Sequence, residues 1–481
     1  MRINIDNCIK YLLIWAGIFL PIQAMFVFVF HLPNSVQMIY PFIIIGIILC
    51  LFIPQKEVFN SLDKKFVLFY ILLLIALLLS SIINYDSIID RGLAFSYYTR
   101  TFPGFWDMPK MRLINWGVLR PFLFFLYICI LFVLLQRQNN VKILLKSLSV
   151  LAVISCIYSV YQLIASQFGL PFNSIFSGQS GHVIRIWGNL IRTEGIFYEA
   201  GPHATFLSPI FCIFFAQLFE KNKNLLLFKK ENTIKFFILI SFIMFFTFSP
   251  IAFLTPIIAL PLLKVLNYKT IKYKISKKYL TILTFIILLI TPILCWIHSY
   301  VVEQSNGEFQ LSNYMQQKIL ISTATMDSPL IYTNPDARSV RNYAGIQMFK
   351  KNKLFGVGPS AAIVYYFKYV PFATQKQKLW LEGVINTHIK MLCENGIIGF
   401  IPYLLIILYP IFLYIKKYKS LKYKNKLLID ALLVGYILYI LLSYQATLEF
   451  FKAYFWMIYV SLVVLLNGKE NESENKEFVK L

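Results

Sequence analysis

Charge is scarce in this chain. Of 481 residues only 14% are Asp, Glu, Lys or Arg, and the deficit is mainly acidic, with 22 Asp and Glu against 46 Lys and Arg. With 58% hydrophobic residues and a mean hydropathy of +0.66, the chain has too little polar surface for a soluble protein of this length. Cysteine is sparse as well: seven, an odd number, are scattered mainly through apolar runs with no CxxC spacing. That pattern argues against a disulfide framework and a thiolate metal site. No Walker loop, dinucleotide glycine motif or HExxH occurs, so neither a nucleotide nor a metal is indicated, and no cofactor is expected.

Apolar runs of spanning length fall at about 10–30, 37–53, 66–83, 118–135, 143–167, 201–219, 233–249, 251–266, 280–299, 390–415, 427–444 and 453–467. They are continuous in Leu, Ile and Phe, where a β-barrel would need short alternating segments, so helices are the spanning element. The expected fold is an all-α polytopic integral membrane protein of about 12 transmembrane helices. The first run lacks a small-residue cleavage site and reads as a retained signal-anchor.

Lysine marks every second connection: Lys56, Lys64 and Lys65; Lys142 and Lys146; Lys221, Lys223, Lys229 and Lys230; Lys269 to Lys278; Lys416 to Lys426. Placing these in the cytoplasm puts both termini inside, including the tail 468–481, and sends segments 84–117, 168–200 and 300–389 outside. The expected organisation is nine helices within 1–299, a large extracytoplasmic loop at 300–389 between helices 9 and 10, and three helices within 390–467. The net charge of +24 is thus mainly a topology signal and not a nucleic-acid footprint, which would need a basic stripe on a soluble face.

Arginine runs against this rule. Arg91, Arg100, Arg112, Arg120, Arg185, Arg192, Arg338 and Arg341 all fall on or near the predicted outer face. The guanidinium fork is suited to phosphate or carboxylate oxygens at a membrane interface, and the set points to an anionic ligand. Lipid headgroups or neighbouring acids are the plainer partners for any single one.

Two outer segments concentrate chemistry. In 168–200, Arg185 and Arg192 lie close to Glu194 and Glu199, just ahead of the helix start Gly201–Pro202. The cluster suits either loop-fixing ion pairs or a site in which arginine holds a leaving phosphate and a carboxylate takes a proton from a hydroxyl. In 300–389, Asn334–Pro335–Asp336 reads as a helix start that puts Arg338 and Arg341 on one face, spaced to grip a diphosphate. A turn at Gly356–Val357–Gly358–Pro359 follows, then His388, then Glu394, deep enough in the next helix to require a partner. The glycine turn would cradle phosphate only if the amides of a following helix faced the ligand.

The order of Arg338 and Arg341, Leu354–Phe355–Gly356–Val357–Gly358–Pro359, then His388, Glu394, Gly396 and Gly399, resembles the O-antigen polymerase and O-antigen ligase superfamily. Arg192, Gly195, Phe197 and Glu199 also resemble its outer-loop pattern. Where the family often shows His-Asn and Glu-Pro, this chain has His388–Ile389 and Glu199–Ala200. The resemblance implies a metal-independent glycosyltransferase at the outer face of a bacterial cytoplasmic membrane. Its partner would be a polyprenyl-diphosphate-linked oligosaccharide, with membrane lipids, a chain-length regulator and a flippase as further candidates. A repeat-unit polymerase for O-antigen or capsule is the first expectation, a ligase to lipid A core or a protein the alternative, and a lipid-linked glycan flippase the second. Arg185, Arg192, Arg338 and Arg341 are expected to hold the diphosphate, and His388, Glu194 or Glu199 to deprotonate the attacking hydroxyl.

Overall fold

The protein was analysed as a computed structural model. The structure describes residues 5–22, 39–88, 114–136, 138–171, 185–187, 190–197, 200–220, 227–266, 338–369, 384–418, 426–443, 450 and 452–467. Among these the helices are α1 (Ile5–Phe19), α2 (Ile39–Leu51), α3 (Gln55–Ser61), α4 (Lys64–Ile83), α5 (Arg120–Leu134), α6 (Gln138–Phe168), α7 (Ala200–Phe219), α8 (Lys230–Phe246), α9 (Pro250–Leu266), α10 (Arg338–Lys351), α11 (Ala362–Tyr369), α12 (Thr387–Lys417), α13 (Lys426–Leu438) and α14 (Ala453–Asn467). Short π-helical turns at Asn115–Leu119 and Tyr439–Ser443 adjoin α5 and α13. The departure from all-α architecture is a small antiparallel pair, β1 (Arg185–Trp187) with β2 (Leu190–Ile191).

Each apolar run expected to span coincides with a helix, except 280–299, which lies outside the described residues together with most of loop 300–389. Among the described residues six helices are long and apolar enough to cross a membrane: Lys64–Ile83, Gly117–Leu134, Asn139–Phe168, Ala200–Phe219, Thr387–Lys417 and Lys426–Ser443. The protein is a polytopic helical membrane protein. Apolar helices α2, α9 and α14 are shorter.

Lipid exposure sorts the helices. On α2, Ile44, Ile45, Ile47 and Ile48 are exposed, as are Leu68, Ile71, Leu72, Ile75, Leu78 and Leu79 on α4, so these helices turn an apolar face outward. By contrast α13 and α14 are apolar all round and almost wholly buried, the mark of a central helix. The core around them is aromatic: Trp456 packs edge-on to Phe455, Tyr459, Phe450 and Phe66.

Buried tyrosines in this core complete the backbone of α12. Pro410 has no N–H to offer the Ile406 carbonyl one turn back, and the Tyr459 hydroxyl donates to that carbonyl at 3.1 Å. Tyr436 donates to the next carbonyl, Ile407, at 2.6 Å. In a bilayer interior, where water cannot serve, such bonds make a proline in a spanning helix tolerable.

The lysine-rich helix ends gather together. Asp63 caps α4 through Lys65 N and Phe66 N, and its other oxygen accepts from Tyr409 and Asn467, each at 2.7 Å. Lys417 donates to Leu466 O and Asn467 Oδ1, and Lys426 to Leu266 O. The start of α4 therefore meets the ends of α12 and α14, as alternate crossing requires.

Candidate functional site

At the opposite end of the bundle α12 is broken. Gly396 sits at φ 62°, ψ −166°, a backbone conformation essentially reserved for glycine, and the helix changes course there. A regular helix would bond Cys393 O to Ile397 N and Glu394 O to Ile398 N. Here those four groups are satisfied from outside the helix. Val357 N donates to Cys393 O (2.9 Å) and Gly358 N to Glu394 O (2.8 Å), while Ile397 N donates to Lys353 O (2.9 Å) and Ile398 N to Leu354 O (3.2 Å).

The glycine turn after α10 is thus the missing strip of backbone for the broken helix. Gly356 (φ 68°) faces Gly396 closely enough that a Cβ on either would collide with the other segment's backbone. The Ser80 hydroxyl at the end of α4 donates to Phe355 O at 2.6 Å and lies 3.1 Å from Glu394 O, tying both pieces to the bundle. This corrects the phosphate-cradle option for Gly356 and Gly358: their amides are committed to Asn352 O and Glu394 O. The first amide of the following helix, Ala362 N, points at the Glu394 carboxylate (3.4 Å), not at an open anion site. Glu394 has the partner its depth requires, with Lys390 Nζ 3.9 Å away.

The break folds the first part of α12 back on the second. His388 and Tyr403 would be about 22 Å apart along a straight helix. Instead the Tyr403 hydroxyl is 2.9 Å from His388 Nδ1. His388 Nε2 faces Ile440 O at 3.4 Å, in the π-helical turn after α13. A carbonyl can only accept, so in the tautomer that bonds Ile440 O the proton is on Nε2 and Nδ1 accepts from Tyr403. Asn386 caps this half-helix, its side chain accepting from His388 N and Ile389 N.

The helix α10, which bears Arg341, packs on the same half-helix. Gly345 packs against Ile389 and Val384, and Asn342 Oδ1 accepts from Asn386 N at 3.3 Å. Arg341 lies one turn before Gly345 on α10 and is 8% exposed. Arg338 opens α10, as the expected pairing with Arg341 requires; its side chain lies outside what the structure describes. A separate small core of Ala344, Met348, Val357, Tyr366, Val384 and Cys393 holds α10, α11 and the half-helix as one unit.

The second sequence cluster forms a plug in the bundle. Arg192 Nε donates to Thr247 O (3.1 Å) and Thr193 N to Phe246 O (3.0 Å). Glu194 N and Gly195 N both donate to Gln162 Oε1, and Ile196 N to Ser155 Oγ. Ser155 is in turn 2.9 Å from His203 Nε2, and the His203 ring stacks on Phe197. Glu194 is buried at 6% exposure within this plug. Arg185 lies in β1 opposite Ile191, with its side chain outside the described set, and Glu199 lies outside the described residues altogether.

Sequence reasoning missed the anchors Ser155, Gln162 and His203. A signal was present: Ser155, Ser159, Gln162 and Ser166 recur at one-face spacing along the second half of α6. The two clusters flank one helix end. Phe197 packs on Phe206, Phe206 on Tyr454 and Tyr454 on Tyr439, the residue next to the Ile440 carbonyl that faces His388.

In comparison with known families, residues 236–404 match the family described as O-Antigen ligase. The matched stretch contains Arg338, Arg341, the glycine turn, His388 and the break at Gly396. The likeness to the O-antigen polymerase and ligase superfamily read from the sequence holds over this stretch, and that family acts on lipid-linked oligosaccharides in membranes. No curated protein matches the chain.

Proposed function

We propose that this protein is a metal-independent glycosyltransferase that moves a glycan from a polyprenyl diphosphate to an acceptor hydroxyl at the outer face of the cytoplasmic membrane. The observation that carries this reading is the packing of α10, which bears Arg341, against the start of the half-helix that bears His388, inside the stretch matched to the O-Antigen ligase family. The acceptor oxygen bonds to the anomeric carbon as the bond from that carbon to the diphosphate breaks. The diphosphate leaves with the electron pair.

Arg341, with Arg338 one turn away, neutralises the leaving diphosphate, and Arg192 and Arg185 serve the same anion from the neighbouring segment. Fixed guanidinium groups supply the charge stabilisation that a bound cation would otherwise provide. His388 meets the acceptor hydroxyl and takes its proton. Glu194, walled into the plug, and Glu199 are the alternative proton acceptors. The polymer-forming version, with a second lipid-linked repeat as acceptor, is the primary reading, because the sequence of 300–389 and of the tail does not read as a separate domain for a chemically distinct acceptor. The family description favours the ligase version as the second.

The surface-glycan pattern of a deletion strain, with and without complementation by Arg341→Ala, tests this. Loss of the ladder with one repeat still on its final acceptor supports the polymerase. Long chains stranded on the lipid carrier support the ligase. Loss of every outward-facing repeat indicates a flippase, and a normal ladder with Arg341→Ala at equal protein level removes the anion-binding assignment.

A further inference from the structure

The Tyr403 ring is buried in the core and packs on Phe450 and Phe400, whose centroids lie 5.4 Å and 5.8 Å away. Its hydroxyl holds a hydrogen bond to the half-buried His388 at Nδ1, and the bond exists only because the break at Gly396 turns the half-helix back along α12. We infer that Tyr403 is the positioning residue for His388, an inference that rests on the glycosyl-transfer reading above. It holds the ring between two fixed points, its own hydroxyl at Nδ1 and the Ile440 carbonyl at Nε2.

The choice of a phenol matters chemically. In one tautomer Nε2–H points at Ile440 O and the Nδ1 lone pair accepts from Tyr403. To take a proton from a hydroxyl through Nε2, the ring must carry its own proton on Nδ1. A hydroxyl can either donate to Nδ1 or accept from it, so Tyr403 serves both tautomers without moving. A carboxylate would accept only, and would fix one tautomer. The Ile440 contact at 3.4 Å is long for a hydrogen bond and is the one an incoming substrate oxygen replaces. Tyr403 does not itself touch substrate, being completely buried, so it acts through His388.

The test uses the full-length chain in proteoliposomes with lipid-linked oligosaccharide extracted from a strain lacking the protein. Tyr403→Phe keeps the ring and removes the hydroxyl. We expect kcat to fall about tenfold, the worth of one hydrogen bond, with KM unchanged. Combined with His388→Gln, the tyrosine change should cost nothing further, because its effect runs through His388.

A Tyr403→Phe form at the wild-type rate beside an inactive His388→Gln form overturns the positioning role and leaves the glycosyl-transfer reading standing. So does a loss from Tyr403→Phe that persists in the His388→Gln background. A fully active His388→Gln form sinks the catalytic reading instead. Independently of any variant, the ¹⁵N shifts of His388 in the wild-type protein should show Nδ1 held in a hydrogen bond, whichever tautomer is present. An Nδ1 with no hydrogen bond would overturn the inference even if Tyr403→Phe failed to fold.

Discussion

The two ends of the bundle treat polar residues in opposite ways. At the lysine-rich end Asp63, Tyr409, Lys417 and Asn467 join the termini of regular helices, and the backbone there follows standard geometry. At the other end a helix is interrupted in mid-course, its four orphaned backbone groups are satisfied by a distant turn, and His388 is carried back into the bundle. The first network only fastens. The second reshapes the chain so that α10, which bears Arg341, packs on the half-helix that bears His388. Irregular backbone at membrane depth is tolerated where protein satisfies it, and it is characteristically where ligands are handled.

The sharpest way to break this contrast is Gly396→Ala. The new Cβ meets the Leu354 carbonyl in a backbone conformation that alanine hardly adopts. We expect loss of folded protein, read as the yield of monodisperse material in detergent. Recovery at wild-type yield would show that the break is not fixed by the glycine.

Next in size is Arg341→Lys, expected to abolish glycan transfer while leaving the melting temperature near wild type, because a point charge does not replace a bidentate fork. A glycan ladder of normal intensity would count against diphosphate binding. At the fastening end, Asp63→Ala should destabilise by about 2 kcal/mol, from a lost helix cap and two lost side-chain partners, with the rate per folded molecule unchanged. Equal loss of rate would make the two ends one functional unit. Tyr409→Phe removes a single bond of that network and should cost about 1 kcal/mol in thermal or chemical unfolding.

Reading along the chain found the ingredients of the site without its assembly. Glycine at 356 and 396, arginine at 338 and 341 and a histidine at 388 all stood out by residue type. That Gly356 and Gly396 face each other could not be read, since every residue carries the same N–H and C=O and no side chain encodes which backbone will pair with which. The turn expected at Gly356 and Gly358 is there, and its amides serve the backbone of Asn352 and Glu394. The plug around Glu194 was half legible, because the polar stripe on α6 was visible in principle while its occupant was not.

Sequence alone determined that this protein lives in a membrane as a stack of helices, because a bilayer forces runs of about 20 apolar residues that composition cannot conceal. It also marked alternate connections with lysine, and the structure gathers those helix ends together. Only the tertiary structure decided where a helix would break, what would fill the gap and which segments would meet. Those outcomes depend on satisfying backbone polar groups in an environment without water, through contacts between segments some forty residues apart.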